Sequence, residues 1–395
     1  MTLELSKIAA QVSAMGTDAA QRAAKRSSFV PIVLNLLAQH AADTELREKV
    51  ERAITAGWGG AIPASEPLDA AFDPPALPGR LTIVATDGSQ IYPDRHSLAL
   101  YYVINVGGIV LRLGTGETPK AETTPTVCFD EEQLYGEDEY PVSAQVINAR
   151  RAVAEVTRLA QLAIEEVKTA PTIALADGNI ALRVQQAAIP AAEGIELQRT
   201  YIARLDALKL TQVPIAAFVS RPGTTAIIKL MQLATYSLDE VEARVTDYTG
   251  RPFGGLIDVA VFAALLAPGQ RSAVFELATL WGKPYREAGH AIHFFYLNVG
   301  TPIRSAIARV EVPEWVANNA VWLGLVHSAI VDQCRITDIA YPYILTRADE
   351  LAVITTGEKV NFEQMIGVEM LRHGIEASPS EKAAAKAIAR YGKRR

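Results

Sequence analysis

Two short apolar runs in this chain each end in Asp-Gly, and this repeated pattern constrains the fold more than any other feature. Residues 83–86 precede Asp87, residues 173–176 precede Asp177, and a glycine follows each aspartate. Apolar runs rich in β-branched residues and closed by a turn-forming dipeptide are typical of buried strands that end at a loop. The sequence therefore predicts two strands, each with an aspartate at its carboxyl end.

The segments between these aspartates predict how the two strands come together. They are a second strand (97–106), a hairpin turn (Gly107-Gly108), a third strand (109–113), a polar and acidic excursion (114–141), and a long amphipathic helix (143–168). A crossover helix after three sequential strands predicts that the fourth strand returns parallel to an earlier one. If it lies beside the first, about 4.8 Å away, Asp87 and Asp177 can reach one metal ion.

Paired aspartates at the ends of neighbouring strands favour a site for Mg²⁺ or Mn²⁺, because these ions prefer hard carboxylate oxygens. The glycine after each aspartate would permit a tight turn and the close approach of a phosphate. A single Asp-Gly is more often just a turn after a strand. The presence of two copies around a hairpin and a crossover helix favours the metal site.

Composition limits the classes of protein to which the chain can belong. Of its 395 residues 49% are hydrophobic, which indicates a folded globular protein, and the formal net charge is −6. This charge excludes a wholly basic nucleic-acid coat, so any nucleic-acid contact needs a local basic surface or metal ions. Two cysteines cannot form a disulfide framework, and no apolar run approaches the roughly 20 residues of a membrane span. We therefore expect a cytoplasmic protein outside the membrane.

Two common catalytic motifs are missing from the sequence. No Gly-x-Ser-x-Gly motif occurs, so an α/β-hydrolase is not supported. Residues 114–120 resemble a phosphate-binding loop, but Pro119 stands where the second glycine is needed and no Ser or Thr follows Lys120. These residues are better interpreted as a turn.

The sequence predicts three segments along the chain. Residues 1–75 combine apolar positions at helical spacing with a proline-rich connector, and residues 76–375 hold the alternating strands and helices. Residues 376–395 are rich in alanine, lysine and arginine and predict a basic tail.

The two Asp-Gly motifs belong to a longer pattern that resembles the NurA nucleases. The pattern continues through residues 218–220 and Arg221, through residues 309–315, and through residues 341–349, so the resemblance covers residues 80–360. It implies an α/β fold of the RNase H-like type: a mixed sheet of three antiparallel strands and then parallel strands, flanking helices, and an N-terminal helical extension. The strand order predicted above agrees with that fold.

The resemblance also implies a function. NurA proteins are metal-dependent DNA nucleases of the 5′–3′ exonuclease or endonuclease type. They form homodimers and act with a HerA-type hexameric ATPase, a translocase, in DNA end resection and repair or in phage defence. One alternative is a catalytically inactive RNase H-like adaptor of the translocase. A metal-dependent phosphatase or an RNA nuclease using the same acids is another.

Matched position by position, the resemblance implies a set of carboxylates that hold two Mn²⁺ or Mg²⁺ ions. Asp87 and Asp177 match the two acidic motifs. Glu155, on the helix between them, is the best match to the third acid, with Glu165 and Glu166 as alternatives. Glu155 could equally be a solvated residue of the helix surface.

The remaining implied positions lie towards the carboxyl end. Tyr341 matches a tyrosine of the family, and Asp349 stands where the family often has histidine. An aspartate can hold a metal ion but could not replace a histidine proton donor. Arg221, where the family often has lysine, and Arg309 could bind substrate phosphates. Either arginine could instead form a structural ion pair.

Overall fold

The structure is a computed structural model that describes residues 4–136, 140–168, 170–184, 188–247, 251–337 and 339–375. Its described residues form two compact units. The first unit comprises the chain up to Leu77, Gly178–Ile180 and Ala216–Pro342. The second unit comprises Pro78–Asp177, Ala181–Ile215 and the chain from Tyr343 onwards. The predicted basic tail, residues 376–395, lies outside the described residues, and the predicted segment boundaries remain predictions.

The strands of the described residues, in chain order, are β1 (Gly60–Pro63), β2 (Ala71–Phe72), β3 (Leu81–Ile91), β4 (Tyr102–Leu113), β5 (Lys120–Cys128), β6 (Thr172–Asp177), β7 (Ile215–Val219), β8 (Arg271–Ser272), β9 (Phe275–Ala278), β10 (Ile292–Asn298) and β11 (Ile307–Pro313).

The α-helices are α1 (Leu5–Gln39), α2 (Thr44–Thr55), α3 (Glu131–Leu134), α4 (Ala144–Glu166), α5 (Ala191–Leu210), α6 (Ala226–Ala234), α7 (Val241–Thr246), α8 (Asp258–Leu265), α9 (Lys283–Glu287), α10 (Glu314–Ala317), α11 (Ala320–Arg335), α12 (Tyr343–Ala352) and α13 (Thr356–Arg372). Short 3₁₀ turns cover Leu238–Glu240 and Leu280–Gly282.

The second unit contains the predicted mixed sheet. Its strands lie in the order β5-β4-β3-β6, with β3, β4 and β5 antiparallel to one another and β6 parallel to β3. The parallel register pairs residues 82–86 with residues 172–176. The predicted fold class is therefore confirmed: three antiparallel strands precede a strand that returns through the helix α4.

The predicted hairpin turn at Gly107-Gly108 is wrong. Strand β4 runs through both glycines without a break, and they pair with Asp87 and Thr86 of β3. A Cβ on Gly107 would lie 2.6 Å from the backbone nitrogen of Ala352 in α12. The glycine therefore permits a helix to pack closely on the sheet rather than a turn.

The third antiparallel strand is β5, which lies in the segment predicted to be an irregular acidic excursion. Its residues are mostly exposed and polar, with several threonines and Pro125. A solvent-exposed edge strand tolerates proline and lacks the apolar alternation that marks a half-buried strand. Strand β3 also extends beyond the predicted end at Asp87, to Ile91.

Helices α4 and α12 cover opposite faces of this sheet. Thr86 donates a hydrogen bond from its Oγ1 to the Glu155 carbonyl in α4 at 3.0 Å. On the other face, Asn105 donates from its Nδ2 to the Ala352 carbonyl in α12 at 2.8 Å. Because side chains alternate along a strand, Asp87 lies on the α12 face and Gly88 on the α4 face.

The first unit contains an antiparallel arrangement in the order β1-β9-β10-β11-β7, with β8 pairing with β2 and β10. Its core combines helices α1, α6 and α8 with buried aromatic side chains such as Phe275, Phe294 and Tyr296. The predicted proline-rich connector is anchored within this unit, because Glu66 pairs with Arg271 at 2.8 Å. The sequence also predicts a strand at residues 303–312, but the corresponding strand, β11, begins later, at Ile307, and a tight turn precedes it.

Candidate active site

The two aspartates that end the apolar runs lie side by side in the second unit. Asp87 and Asp177 each stand one residue beyond the last pair of the parallel register, Thr86 with Ala176. The same alternation therefore places both on the α12 face of the sheet. Asp177 is the last residue of β6, and Gly178 follows with a φ of +84° that favours glycine.

Glu155 reaches this site from the opposite face of the sheet. A Cβ on Gly88 would collide with the Glu155 carboxylate and would come within 3.0 Å of Arg151 Cγ. The missing side chain at position 88 therefore leaves the space that the glutamate occupies. Gly88 does not form the predicted turn; it permits the close approach of α4 within a continuous strand.

The other two glutamates considered for this role bind elsewhere. Glu166 accepts a bidentate pair of hydrogen bonds from Arg112, at 2.6 and 2.7 Å. Glu165 lies 3.7 Å from the ammonium nitrogen of Lys120. Glu155 is therefore the member of the three that the fold brings to Asp87.

Asp349 approaches Asp87 from α12. This helix packs on β3 and β4, where Gly107, the register partner of Asp87, lies against the backbone of Ala348 and Ala352. Asp349 follows Ala348 and is exposed to solvent. Its negative charge acts on Asp87 and raises the pKa of that carboxyl.

The electrostatics show that the carboxylates crowd one another. Burial, together with the charges of Asp177 and Asp349, raises the pKa of Asp87 to about 6, although hydrogen bonding from Gly88 N and the charge of Arg151 oppose this shift. Burial, aided by Asp87 and Asp177, raises the pKa of Glu155 to about 7 against the opposing charge of Arg151. Negative charges gathered at a partly buried site favour the binding of a cation.

Arg151 supplies part of that positive charge. Its Nη1 lies 2.6 Å from Glu155 Oε1 and 4.0 Å from Asp87 Oδ1, and it donates to the Gly88 carbonyl at 2.7 Å. Its Nε is buried and has no hydrogen-bond partner among the described residues. One guanidinium thus faces several carboxylates and keeps one donor available for another oxygen.

The donor set fits a divalent cation in its chemistry. Hard carboxylate oxygens that repel one another are the environment that such an ion requires. Across the described ranges, however, no group of three or more His, Cys, Asp or Glu side chains is already arranged to hold a metal. Binding would therefore require the side chains to adjust, and Arg151 already occupies one oxygen of Glu155.

The other predicted site residues lie in the first unit. Tyr341 packs edge-to-face on Phe218, with ring centroids 5.5 Å apart, and Arg221 is exposed after β7. Arg309 is buried, lies 2.7 Å from Glu311, and stacks over the ring of Phe294 at 3.9 Å. This environment is that of a structural ion pair. The sequence had left open either this role or the binding of a substrate phosphate.

Sequence reasoning did not single out Arg151. The signal was present, because Arg151 and Glu155 are four residues apart on a predicted helix, a spacing typical of ion pairs. Two further arginines, Arg304 and Arg335, line a cavity of the first unit together with Arg221. They lie in a turn and at a helix end, and no motif marks them.

Comparison with known protein families identifies the family of this chain. The model of the NurA domain matches residues 81–354, which is more than half of the sequence and includes Asp87, Glu155, Asp177 and Asp349. The chain belongs to the NurA family. The resemblance inferred from the motifs is thereby confirmed. No curated protein matched the chain.

Solved structures similar to this NurA protein include two nucleases. The NurA nuclease from Sulfolobus solfataricus is 13% identical, with a TM-score of 0.47, over 96% of this chain and 100% of the other. Human endonuclease V is 14% identical, with a TM-score of 0.34, over 78% of this chain and 94% of the other. Membership of the family rests on the domain match and not on these distant likenesses. In the part of the chain that the structure describes, no helix is long and apolar enough to cross a membrane.

Proposed function

We propose that this NurA protein is a metal-dependent DNA nuclease that hydrolyses phosphodiester bonds. The observation that supports this most is the convergence of Asp87, Asp177, Glu155 and Asp349 from two strands and two helices of one unit. Partial burial and the neighbouring carboxylates raise the pKa values of Asp87 and Glu155, and such raised values are typical of functional sites.

In this proposal the four carboxylates hold two Mn²⁺ or Mg²⁺ ions. Bound divalent ions supply Lewis acidity, which lowers the pKa of water and offsets negative charge at the scissile phosphate. Arg151 orients Glu155 through the 2.6 Å contact and limits the repulsion within the cluster. Its buried Nε can donate to an incoming phosphate oxygen.

The proposed biological setting follows from the family and from the charge of the chain. With a net charge of −6, an isolated subunit has little general attraction for DNA. We therefore propose a homodimer that encloses DNA supplied by a HerA-type hexameric ATPase, in end resection and repair or in phage defence. The isolated protein should bind DNA weakly and lose this binding as salt increases.

The test is a plasmid-nicking and end-resection assay with Mn²⁺, Mg²⁺ or EDTA, with and without the ATPase. Wild type should cut DNA with metal only, and Asp87→Asn should lose at least about 1000-fold in rate. Glu166→Gln is the matched control, because it also removes a carboxylate charge from α4 but lies at Arg112. Normal metal-dependent cleavage by Asp87→Asn would disprove the assignment.

The same assay addresses the alternatives. An inactive adaptor would bind the ATPase and leave DNA intact with every metal. An RNA nuclease would prefer RNA when DNA and RNA compete in one reaction, and a phosphatase would release phosphate without cutting the backbone.

A further inference from the structure

The turn between β10 and β11, in the first unit, is held by several hydrogen bonds. Thr301 and Arg304 exchange two backbone hydrogen bonds, at 3.0 and 3.1 Å. The Asn298 side-chain oxygen accepts from the backbone nitrogens of Gly300 and Ala306, and its Nδ2 donates to the Leu266 carbonyl at 2.8 Å. The loop is thus held at both ends.

An isoleucine stands at the tip of this loop. The side chain of Ile303 is 98% exposed, and Pro302 precedes it. Turn positions usually carry glycine or short polar residues that bond to the backbone. A β-branched side chain on a fixed turn has little conformational freedom to lose on binding, so it suits an apolar contact surface.

Next to the tip residue, Arg304 lines a cavity of about 890 Å³ within the same unit. Its other polar lining residues include Arg221, Arg335, Ser220 and Tyr341. None of the described residues that line it is acidic. In a chain with net charge −6, this is a local concentration of positive charge.

We propose that this cavity binds the sugar-phosphate backbone of one DNA strand while Ile303 stacks on the terminal base pair and opens the duplex end. Guanidinium groups together with a tyrosine ring suit a single strand, whose phosphates and bases are both accessible. Apolar side chains inserted at base steps unstack them in other DNA-binding proteins. Because Arg304 follows Ile303 directly, binding of the strand in the cavity and opening of the duplex end involve the same turn.

This inference deepens the proposed function, since it takes DNA as the substrate. It does not depend on cleavage. A free nucleotide could fill the cavity but would not use the apolar tip outside it. A single strand entering from an opened duplex end uses both features.

End opening is tested with a duplex that carries 2-aminopurine at its terminal base pair, with the full-length protein in EDTA. The wild type should raise the fluorescence as the base unstacks, Ile303→Ser should lose most of this rise, and Ile303→Leu should retain it. Leu280→Ser is the matched control, because Leu280 is an 85% exposed apolar residue elsewhere in the same unit. An unchanged fluorescence rise with Ile303→Ser would overturn the proposal that Ile303 opens the duplex end.

Strand binding is tested by the salt dependence of the affinity for a thymidine oligonucleotide of about a dozen nucleotides. Arg304→Gln and Arg335→Gln should each reduce the slope of log K against log salt by about 0.7, the value for one phosphate contact on a single strand. Arg286→Gln, which removes a partly exposed arginine paired with Glu276, should leave the slope unchanged. Equal slopes in all variants would overturn the cavity assignment.

Two further outcomes separate this inference from its alternatives. If light scattering shows that Ile303→Ser changes the oligomeric state, Ile303 contacts a second copy of the protein, and the proposal that it opens the duplex end is wrong. If the wild type opens ends in EDTA but cuts no DNA with Mn²⁺, the inference holds and the proposed nuclease function fails.

Discussion

Gly88 lies so close to the Glu155 carboxylate that any side chain at position 88 would displace it. This relationship joins a strand and a helix that are far apart in the sequence, and it has a direct consequence for the site. The space that glycine leaves is where Glu155 approaches Asp87.

The substitution Gly88→Ala should therefore weaken metal binding. We expect the added Cβ to push Glu155 and Arg151 aside, so that Mn²⁺ affinity falls about 10-fold or more, as for other changes beside metal ligands. Titration calorimetry or the electron paramagnetic resonance of free Mn²⁺ measures this. Gly79→Ala is the control, because a Cβ there would meet nothing within 4 Å. Equal affinities in both variants would contradict the close approach.

Removing the charge of Glu155 should have a different effect from removing that of Glu166. Glu155→Gln should reduce Mn²⁺ affinity and DNA cleavage with little loss of stability, since it relieves repulsion from Asp87 and Asp177. Glu166→Gln should keep metal binding but lower the free energy of unfolding by about 1–3 kcal/mol, because Arg112 loses a bidentate partner. Urea denaturation and metal titration of both variants distinguish the two roles.

Stability without metal should fall as the pH rises through the carboxylate cluster. The pKa of Asp87 is raised to about 6 and that of Glu155 to about 7, so between about pH 4 and 7 the native state holds protons that the unfolded chain has lost. The free energy of unfolding in EDTA should then decrease across this range, on the order of 2 kcal/mol. In a protein of this size such a loss lowers Tm by several degrees.

Scanning calorimetry between pH 5 and pH 7.5, values that bracket both raised pKa values, measures this decrease. Asp87→Asn should flatten the profile, because the amide mimics the protonated acid. Mn²⁺ should restore the lost stability at the higher pH, where both carboxyls are ionised. A wild-type Tm that increases with pH in EDTA would show that these groups are not crowded.

The two adjacent glycines of β4 should respond differently to alanine. Gly107→Ala should lower the free energy of unfolding by about 1–3 kcal/mol, because its Cβ would meet the backbone of Ala348 and Ala352 and force α12 away. Gly108→Ala should cost less, since its nearest contact is the flexible end of the Leu162 side chain at 2.8 Å. Urea denaturation of the pair measures the difference, and equal losses would contradict the packing of α12.

The elements around the site could be predicted to different extents. The predicted strand before Asp177 and the predicted helix at residues 143–168 agree closely with β6 and α4, because β-branched runs and helical periodicity are local signals. Strand β5 was missed, because an exposed edge strand needs no apolar face. The start of β11 was placed too early, because the apolar residue at its predicted first position, Ile303, belongs to the turn instead.

By itself, the sequence determined that an apolar strand leads into each of the two aspartates and that a helix crosses between these strands, because strand formation, helical periodicity and the handedness of crossovers follow from local chemistry. Only the tertiary structure decided that Gly107 admits a helix instead of making a turn, that Glu155 and not Glu165 or Glu166 faces Asp87, and that Arg151 lies among the acids. These outcomes depend on how α4 and α12 pack against the sheet. That packing is set by contacts between residues far apart in the chain, which no local pattern encodes.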